Sequence, residues 1–364
     1  MDELLTLVLA GGRGLRLRPL TDRRAKPAVP FAGRRLVDFT LANCLASGLG
    51  RVVVVTQYLA ETVEVHVGRV WAGCFDSLET FSARDAGGPF LGTADAVRRA
   101  LARRPGVRRV LVLAGDHVYA MRYAPFLRFH EEARAAATLS AVPVRRDDVG
   151  GLGVLALSAD GRVEAFAEKP ASPATLPGRP EHSLASMGIY VFDAAALRAH
   201  LGDHPGHVDF GHDVLPTMLR DGRRVAARVF GSTRDEAYWR DIADVDEFHR
   251  VHLEIARGAI DLPRIRPGPG VVAQDAFVEE SVICPGARVE RGATVSQCVV
   301  LDGATVGAGA RLRRAVVEEG TVVAPGTVAG FDARADPHVC SKTPGGVVIL
   351  GAEHSAVLSA SAIG

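Results

Sequence analysis

The sequence predicts an α/β protein with a Rossmann-like mixed or parallel sheet, followed by a C-terminal left-handed parallel β-helix. Three observations support this fold class. Apolar, β-branched runs alternate with helix-like segments in the first part of the chain, and glycines directly follow the first run. The last part of the chain repeats with a step of 17 residues. A length of 364 residues is sufficient for one large domain and one smaller domain.

The first domain is predicted from the alternation of strands and helices. Apolar runs that read as strands buried on both faces span 4–10, 51–56 and 109–114. Helical spacing predicts helices over 36–47 and 94–103, and further strands are expected over 185–192 and 224–230. We assign residues 1–258 to this domain and residues 259–270, which are rich in proline and glycine, to a linker.

The β-helix is predicted from three ladders that keep the same 17-residue step. The ladders are Gly286, Gly303 and Gly320; Gly292, Gly309 and Gly326; and the apolar pairs Val282–Ile283, Val299–Val300 and Val316–Val317. Short strands that turn at small residues are typical of a solenoid. We assign residues 271–364 to this domain and a C-terminal tail, and an ordinary Gly/Val-rich β-sandwich is the alternative.

The overall composition excludes several classes of protein. The formal net charge is +1, and a nucleic-acid surface usually shows a basic excess. The five cysteines form no C-x-x-C pair, which argues against a zinc site or a disulfide framework. We find neither a secretory signal nor an apolar stretch that could span a bilayer. The composition predicts a soluble cytoplasmic protein with no nucleic-acid partner and no membrane partner.

Only three lysines stand among the 43 lysine and arginine residues, and two of them lie in short motifs. Lys26 follows a glycine-rich turn, and Lys169 stands between Glu168 and Pro170. A compact ammonium group binds phosphate differently from a guanidinium group, so these positions are candidates for phosphate contacts. Chance placement is the alternative.

The glycine-rich turn at 9–17 directly follows the first predicted strand. Glycines there allow backbone N–H groups to approach a polyphosphate, and neighbouring arginines supply positive charge. The turn matches neither the P-loop pattern nor the dinucleotide-binding pattern, so by itself it is a weak signal, and a plain turn is the alternative.

The continuation of this turn makes the signal specific. Residues 11–30, GGRGLRLRPLTDRRAKPAVP, resemble the signature of sugar-nucleotidyltransferases, and the whole chain is most similar to their glucose-1-phosphate adenylyltransferase (ADP-glucose pyrophosphorylase) branch. Further matching motifs occur in family order at 37–39, 43–44, 56–58, 92–96, 114–119, 166–170, 186–192, 209–211 and 238–241. The resemblance covers nearly the full length of the chain, including the β-helix.

The resemblance implies an enzyme that aligns two polyanions. An oxygen of a sugar 1-phosphate attacks the α-phosphorus of a nucleoside triphosphate, here expected to be ATP, and pyrophosphate leaves. Mg²⁺ is the implied cofactor, with Asp116 and Asp241 as its ligands. Asp116 also follows a predicted strand, where α/β sheets bind ligands, although an aspartate there is commonly a helix cap. The implied catalytic residues are Arg16, Lys26, Asp116, Lys169 and Asp241.

Two sets of binding residues follow from the same resemblance. The implied nucleotide-binding residues are Ala10, Gly11, Gly12, Arg13, Gly14, Arg16, Lys26, Gly92 and Thr93. The implied sugar-phosphate-binding residues are Gly153, Glu168, Lys169, Ser186, Tyr190, Asp209 and Trp239. For Ser186 and Tyr190, packing within a strand is the alternative, and we expect His117 to be structural.

Three departures from the family pattern bear on specificity. Leu15 replaces the usual threonine of the glycine loop, and Arg23 stands at the position of an activator-binding lysine. The segment between Tyr58 and Gly92 is shorter than in the glycogen-pathway enzymes and has FSARD at 81–85 in place of the stretch that helps to read the adenine base. These departures suggest a specialised paralogue. The alternative substrate is therefore a cyclitol phosphate or another sugar-like phosphate of secondary metabolism, in place of glucose 1-phosphate for glycogen biosynthesis.

Two rival functions were weighed against an active transferase. A catalytically inactive regulatory subunit is disfavoured because the implied catalytic residues are present. An acyltransferase activity of the β-helix is disfavoured because residues 271–330 contain no histidine that could act as a base. The family resemblance also implies a homo-oligomer, and we expect a homotetramer.

Overall fold

A computed structural model of the chain describes residues 4–158, 161–231, 238–259, 270–331 and 341–351. The chain groups into two compact units. The first unit comprises residues 1–12 and 39–239, and the second comprises residues 13–38 and 240–364. We call residues 13–38 the signature loop. The α-helices of the described residues are α1 (Leu36–Ala46), α2 (Ala60–Val70), α3 (Thr93–Ala102), α4 (Tyr123–Ala133), α5 (Ala194–Asp203), α6 (Leu215–Arg220) and α7 (Val245–Ala256).

The strands are numbered in chain order. Up to residue 241 they are β1 (Leu4–Leu9), β2 (Pro30–Phe31), β3 (Arg34–Arg35), β4 (Arg51–Thr56), β5 (Ser77–Ser82), β6 (Arg109–Ala114), β7 (His117–Tyr119), β8 (Ala137–Arg145), β9 (Gly153–Leu157), β10 (Val163–Glu168), β11 (His182–Asp193), β12 (Val225–Val229) and β13 (Trp239–Asp241). Beyond residue 270 they are β14 (Val271–Val272), β15 (Phe277–Glu279), β16 (Val282–Ile283), β17 (Arg288–Val289), β18 (Thr294–Ser296), β19 (Val299–Val300), β20 (Thr305–Val306), β21 (Arg311–Arg313), β22 (Ala315–Val317), β23 (Val322–Val323), β24 (Val328–Ala329), β25 (Ser341–Lys342) and β26 (Val348–Leu350).

The first unit is built on a mixed sheet with the strand order β10-β9-β11-β6-β1-β4-β5, in which β8 pairs with β11 and β12 pairs with β8. Strands β5, β4, β1 and β6 are parallel, and β11 is antiparallel to β6. Leu7, Val54 and Val112 in the three central strands are fully buried, as expected for strands that are covered on both faces. The carboxyl ends of β1, β4 and β6 therefore lie side by side at one edge of the sheet.

The predicted elements of this unit are confirmed. Strands β1, β4 and β6 match the three predicted apolar runs to within one residue, and α1 and α3 match the two predicted helices. Strands β11 and β12 lie at the two further predicted positions. The long apolar runs predicted these strands because a strand that is buried on both faces contains few polar residues.

The C-terminal part of the second unit is a parallel β-helix with three sheets, so the predicted fold class is confirmed. The sheets have the orders β14-β17-β20-β23, β15-β18-β21-β24 and β16-β19-β22-β26-β25. Val282 pairs with Val299 and Val299 with Val316, which is the predicted ladder of apolar pairs. Gly286 and Gly292 both adopt positive φ, and their counterparts in the next coils do the same, so the ladders mark turns that only glycine adopts without strain.

The signature loop belongs to the second unit, where it packs against α7. The Phe31 ring meets the Phe248 ring edge to face and lies 4.0 Å from the His252 ring. The backbone N–H of Ala32 donates to Nε2 of His252 at 3.1 Å. Burial lowers the pKa of His252 to about 3, so the imidazole is neutral and accepts this hydrogen bond at neutral pH.

The same loop also reaches the β-helix within the second unit. Arg24 and Arg35 both bind the carboxylate of Glu319, which lies on a β-helix turn, and the Arg35 contact is 2.8 Å. Burial favours the neutral form of Glu319, but Arg35 and Arg24 outweigh it and lower the pKa of this carboxyl group. The signature loop is thus fixed by charged contacts as well as by ring packing.

The predicted boundaries of the linker stay a prediction, because residues 260–269 lie outside the described part of the chain. The same holds for the C-terminal tail beyond residue 351. Among the helices that the structure describes, none has both the length and the apolar character needed to cross a bilayer.

Candidate active site

A cavity of about 420 Å³ lies in the first unit. Three of its walls come from the residues that directly follow the central strands: Gly11 and Gly12 after β1, Gln57 after β4, and Asp116 after β6. The size is that of a small-molecule site, and the position is where open α/β sheets bind ligands. Asp116 thus lies at the carboxyl end of a central strand, as expected from its place after the apolar run at 109–114.

Asp116 is positioned at the cavity by close packing between the ends of β6 and β1. The backbone N–H of Gly115 donates to the carbonyl of Leu9 at 3.0 Å, and a Cβ on Gly115 would lie 2.9 Å from that oxygen. The Asp116 side chain is 24% exposed, and Nε2 of His117 lies 3.7 Å from its Oδ1. His117, expected to be structural, packs edge-on against Trp239 and also lines the cavity.

Glu168 enters the cavity through space that two glycines leave open. A Cβ on Gly153 would lie 2.8 Å from Oε2 of Glu168, and a Cβ on Gly211 would lie 2.3 Å from the same atom. Burial raises the pKa of Glu168, Lys169 opposes that shift, and the neighbouring Asp209 adds to it. Glu168 is therefore a carboxyl group in a confined, partly buried setting.

Lys169 has an unusual backbone conformation next to this carboxylate. Its φ is +46°, which is uncommon for any residue other than glycine. Its backbone N–H donates to the carbonyl of Leu152 at 3.1 Å, and its Nζ lies 3.8 Å from Oε1 of Glu168. Such conformations require about 1 kcal/mol or more and are concentrated at functional positions. The strained turn directs the main chain away from β10 immediately after Glu168.

Asp209, a neighbour of Glu168, is fixed by a network of hydrogen bonds. Its Oδ2 accepts from the Thr93 hydroxyl at 3.0 Å, and its Oδ1 accepts from the backbone N–H of Gly211 at 2.9 Å and of His212 at 3.0 Å. The backbone N–H of Phe210 donates to the Thr93 hydroxyl at 3.1 Å. Thr93 begins α3, so this network ties the start of that helix to the cavity wall.

Ser186 and Tyr190 lie at an irregularity in β11. The pairing of β11 with β8 shifts register between these two residues. Their hydroxyl groups are 3.2 Å apart, and the backbone N–H of Gly188 donates to Ser186 at 3.3 Å. Tyr190 lines the cavity, whereas Ser186 contacts it through the tyrosine hydroxyl. The expected packing role of this pair and a ligand role are both compatible with this geometry.

The second unit holds the charged residues of the signature loop. Gly14 has φ +62°, and a Cβ at this position would lie 2.8 Å from Cβ of Lys26. Because glycine has no Cβ, the loop can pack directly against Lys26. The Lys26 side chain is almost completely buried, and its Nζ lies 2.9 Å from Oδ1 of Asp241. Arg13 and Arg16 are exposed. The two residues predicted to bind phosphate and metal, Lys26 and Asp241, thus form one partly buried ion pair.

The predicted site residues fall into three groups. Those that line the cavity are Gly11, Gly12, Gly92, Thr93, Asp116, Glu168, Tyr190 and Asp209. Those in the first unit that do not line it are Ala10, Gly153, Lys169, Ser186 and Trp239. Those in the second unit are Arg13, Gly14, Arg16, Lys26 and Asp241. The structure leaves their assigned catalytic and binding roles as predictions.

Several wall residues were absent from the predicted set. They are Leu9, Val55, Gln57, Phe90, Ala96, Ala114, His117, Gly188, Phe210 and Gly211. Gln57, Gly188 and Gly211 stand inside motifs that carry the family resemblance, so a closer look at those motifs could have found them. Apolar wall residues such as Phe90 carry no sequence signal, because an apolar side chain looks the same on a cavity wall and in a core.

Comparison with known proteins decides the family. The pattern of the family described as Nucleotidyl transferase matches residues 5–258. The chain belongs to the nucleotidyl transferase family. A second pattern, described as GlmU-like, C-terminal hexapeptide, matches residues 267–350, which contain the β-helix.

Similar proteins point to one branch of the nucleotidyl transferase family. The chain is 40% identical over 272 residues to glucose-1-phosphate adenylyltransferase 2 of Vibrio cholerae, covering 70% of this chain and 67% of the relative. It is 43% identical over 269 residues to the protein of the same name from Alkalilimnicola ehrlichii, covering 69% and 63%. It is 42% identical over 280 residues to glucose-1-phosphate adenylyltransferase of Nitrosomonas europaea, covering 71% and 64%.

These matches span about two thirds of the length of each relative. They confirm the predicted resemblance of this nucleotidyl transferase to the glucose-1-phosphate adenylyltransferases.

Proposed function

We propose that this protein condenses ATP with glucose 1-phosphate to form ADP-glucose and pyrophosphate. The observation that carries the proposal is the cavity in the first unit, where Asp116 follows the central strand β6 and faces a wall that contains Glu168, Tyr190 and Asp209. The similarity to glucose-1-phosphate adenylyltransferases supplies the reaction class.

The polar wall fits the hydroxyl groups of a sugar. Glu168 and Asp209 offer carboxylate oxygens that accept hydrogen bonds, and the Tyr190 hydroxyl can donate one. Asp209 is already oriented by Thr93 and by two backbone N–H groups, so a sugar hydroxyl meets a fixed partner. Lys169 would bind the sugar phosphate, and Gly153, Ser186 and Trp239 would support this side of the site.

Other lining residues of the same cavity fit a nucleotide. Gly11 and Gly12 present backbone without side chains, and Leu9, Val55 and Phe90 give an apolar surface for a flat base. Ala10, Gly92 and Thr93 complete the proposed contacts on this side.

The signature loop would supply the positive charge. Arg16 and Lys26 would offset the charge that develops as pyrophosphate departs, with Arg13 and Gly14 beside them. Lys26 is suited to this role because its ammonium group is buried and held at one position by Asp241.

The reaction needs a divalent metal, and Asp116 and Asp241 are the residues that would hold it. Their carboxylates are 24% and 18% exposed and offer the hard oxygen atoms that Mg²⁺ prefers. The donor type therefore fits Mg²⁺. When bound, the ion would supply positive charge that offsets the negative charge of the phosphate groups.

The proposed step is a direct displacement at phosphorus. A phosphate oxygen of glucose 1-phosphate forms a bond to the α-phosphorus of ATP, and the bond from the α-phosphorus to the bridging oxygen breaks. The electron pair leaves with pyrophosphate, whose charge Arg16 and Lys26 would offset. The protein supplies alignment and charge neutralisation, and no covalent enzyme intermediate is needed.

The test is the release of pyrophosphate from a matrix of ATP, dTTP, UTP, GTP and CTP against glucose 1-phosphate, with Mg²⁺. Release with ATP supports the proposal, and release with another triphosphate corrects the base. The Asp116→Asn variant is the control for a contaminating enzyme. Release that persists in this variant contradicts the assignment of the activity to this chain.

Other outcomes identify the alternatives. Release only with a cyclitol phosphate or an amino-sugar phosphate identifies a specialised transferase, which the changed residues 81–85 and Leu15 allow. No release with any acceptor favours the inactive regulatory subunit. A homotetramer in the cytoplasm is part of the proposal and rests on the family resemblance alone.

A further inference from the structure

Four side chains that the transferase site does not use form a compact cluster in the first unit. His200 lies in the last turn of α5 and His204 directly follows that helix, and the centroids of their rings are 4.8 Å apart. Asp221 ends α6, and His207 lies three residues after His204. We call these four residues the histidine cluster. It lies outside the set of residues that line the cavity.

The ligand atoms of the cluster are spaced for one metal ion. One ligand atom from each of His200, His204 and Asp221 lies within 4.8 Å of the other two. Nε2 of His204 is 3.8 Å from Oδ2 of Asp221. Metal–ligand bonds of ~2.0–2.1 Å in a tetrahedral site place ligand atoms ~3.3 Å apart, so movements of ~1 Å would close the site.

His207 adds a further nitrogen next to His200. Its Nδ1 lies 3.1 Å from Nε2 of His200, and its ring is stacked on the ring of His204 at 4.6 Å. Each imidazole of the cluster offers a ring nitrogen as a metal ligand.

Arg98 fixes the main chain of the cluster and does not occupy its ligand side chains. Arg98 donates to the backbone carbonyls of His204 and His207, at 3.4 and 2.6 Å, so its guanidinium group is directed to the main chain. The side chains of His204 and Asp221 are 35% and 46% exposed, which gives an ion a path from solvent.

We propose that His200, His204 and Asp221, with His207 beside them, bind a dication of the zinc class. Two or three imidazoles and one carboxylate match the ligand preferences of Zn²⁺, Co²⁺ or Ni²⁺ and not those of Mg²⁺, which prefers oxygen ligands. The site is thus chemically separate from the carboxylates proposed to hold Mg²⁺.

The position of the cluster gives the ion a structural role. The main chain runs from His207 directly to Val208 and Asp209; the carbonyl of Val208 accepts from the backbone N–H of Ala94, and Asp209 lines the cavity. An ion that ties α5 to the end of α6 therefore stabilises the segment that presents Asp209. Metal binding is expected to raise the melting temperature of the protein.

The experiment uses the full, untagged chain after treatment with EDTA and desalting. Co²⁺ is added in the presence of excess Mg²⁺, which occupies carboxylate sites, and the visible absorption of Co²⁺ is followed. We expect one Co²⁺ per chain, displaced by Zn²⁺, with a rise in melting temperature. His204→Ala and Asp221→Asn should each weaken Co²⁺ affinity by at least ~10-fold, since loss of even an outer-shell partner typically has an effect of this size.

Controls separate this site from other effects. His182 is a partly exposed histidine outside the cluster, and both His182→Ala and Asp116→Asn should bind Co²⁺ as the parent does. His204 and Asp221 are partly exposed, so their variants should melt at the parent temperature in EDTA. The proposal is overturned if the parent shows no Co²⁺ absorption, if both cluster variants keep the parent affinity, or if Asp116→Asn loses the ion.

Discussion

Replacing Gly211 with alanine tests the role of Glu168 without removing any functional group. The added Cβ would lie 2.3 Å from Oε2 and 2.9 Å from Cδ of Glu168. Non-bonded heavy atoms pack at ~3.5 Å or more, so the carboxylate has to withdraw by about 1 Å. Because the atoms in the way belong to the end of a flexible side chain, the fold should accommodate the change.

The size of the effect follows from that displacement. A misplacement of about 1 Å in a positioning group can lower the rate by about 100-fold. We therefore expect Gly211→Ala to reduce kcat/KM for glucose 1-phosphate by about 100-fold, with most of the change in KM. The affinity for ATP should stay close to that of the parent, because Gly211 lies beside Glu168 and Asp209 and not beside Gly11 and Gly12.

The assay is pyrophosphate release at varied glucose 1-phosphate, measured in a double-mutant cycle with Glu168→Ala. If the added methyl group acts through the carboxylate, Gly211→Ala should cause almost no further loss once Glu168 is alanine. Gly106→Ala is the matched control, because a Cβ there meets nothing within 4 Å. Equal losses caused by Gly211→Ala in the parent and in the Glu168→Ala background would refute the reasoning.

Four further predictions concern other parts of the molecule. Asp116→Asn should abolish turnover while ATP binding, measured by calorimetry, largely survives; near-normal turnover removes Asp116 from the metal site. Lys169→Ala should mainly raise the KM for glucose 1-phosphate, and an unchanged KM contradicts a phosphate contact. Glu319→Gln should lower the free energy of unfolding in urea by about 1 kcal/mol at pH 7. Arg35 and Arg24 outweigh the opposing effect of burial and lower the pKa of Glu319. The stabilisation by these contacts is therefore present above pH 4.5 and is lost as the pH falls through the pKa of Glu319 in the folded protein. A difference in stability between parent and variant that is as large in acid as at pH 7 argues against this role of Glu319. Light scattering should give a tetramer, and a monomeric mass at micromolar concentration excludes it.

Much of the first unit could be predicted because local pattern and tertiary structure agree there. The continuous apolar run at 51–56 predicted a strand buried on both faces, and the strand is buried throughout except at its first residue. The 17-residue ladders identified the β-helix for a similar reason, since each coil repeats the same local requirements.

The grouping of the signature loop was not predicted. The loop follows β1 directly, so it was assigned to the first domain. The contacts that fix it in the second unit join Arg24 and Arg35 to Glu319, which is almost 300 positions away in the sequence. No local pattern carries such information. The same holds for Asp221 in the histidine cluster, whereas the spacing of His200 and His204 is visible in the sequence.

The candidate site was predicted where a functional side chain stands next to a strand end or inside a specific motif. Asp116 and Glu168 are of this kind, and both line the cavity. The space that Gly153 and Gly211 leave for Glu168 was beyond prediction, because it depends on how three separate segments approach one another.

The ion pairs of Arg24 and Arg35 with Glu319 have a consequence for protein engineering. A chimera that joins the first 258 residues of this chain to the repeat domain of another transferase keeps both arginines but can lose their carboxylate. The exchange would then change the segment that contains Arg16 and Lys26, although no residue of that segment was altered. A repeat domain exchanged into this chain should therefore carry an acidic residue at the turn where Glu319 stands.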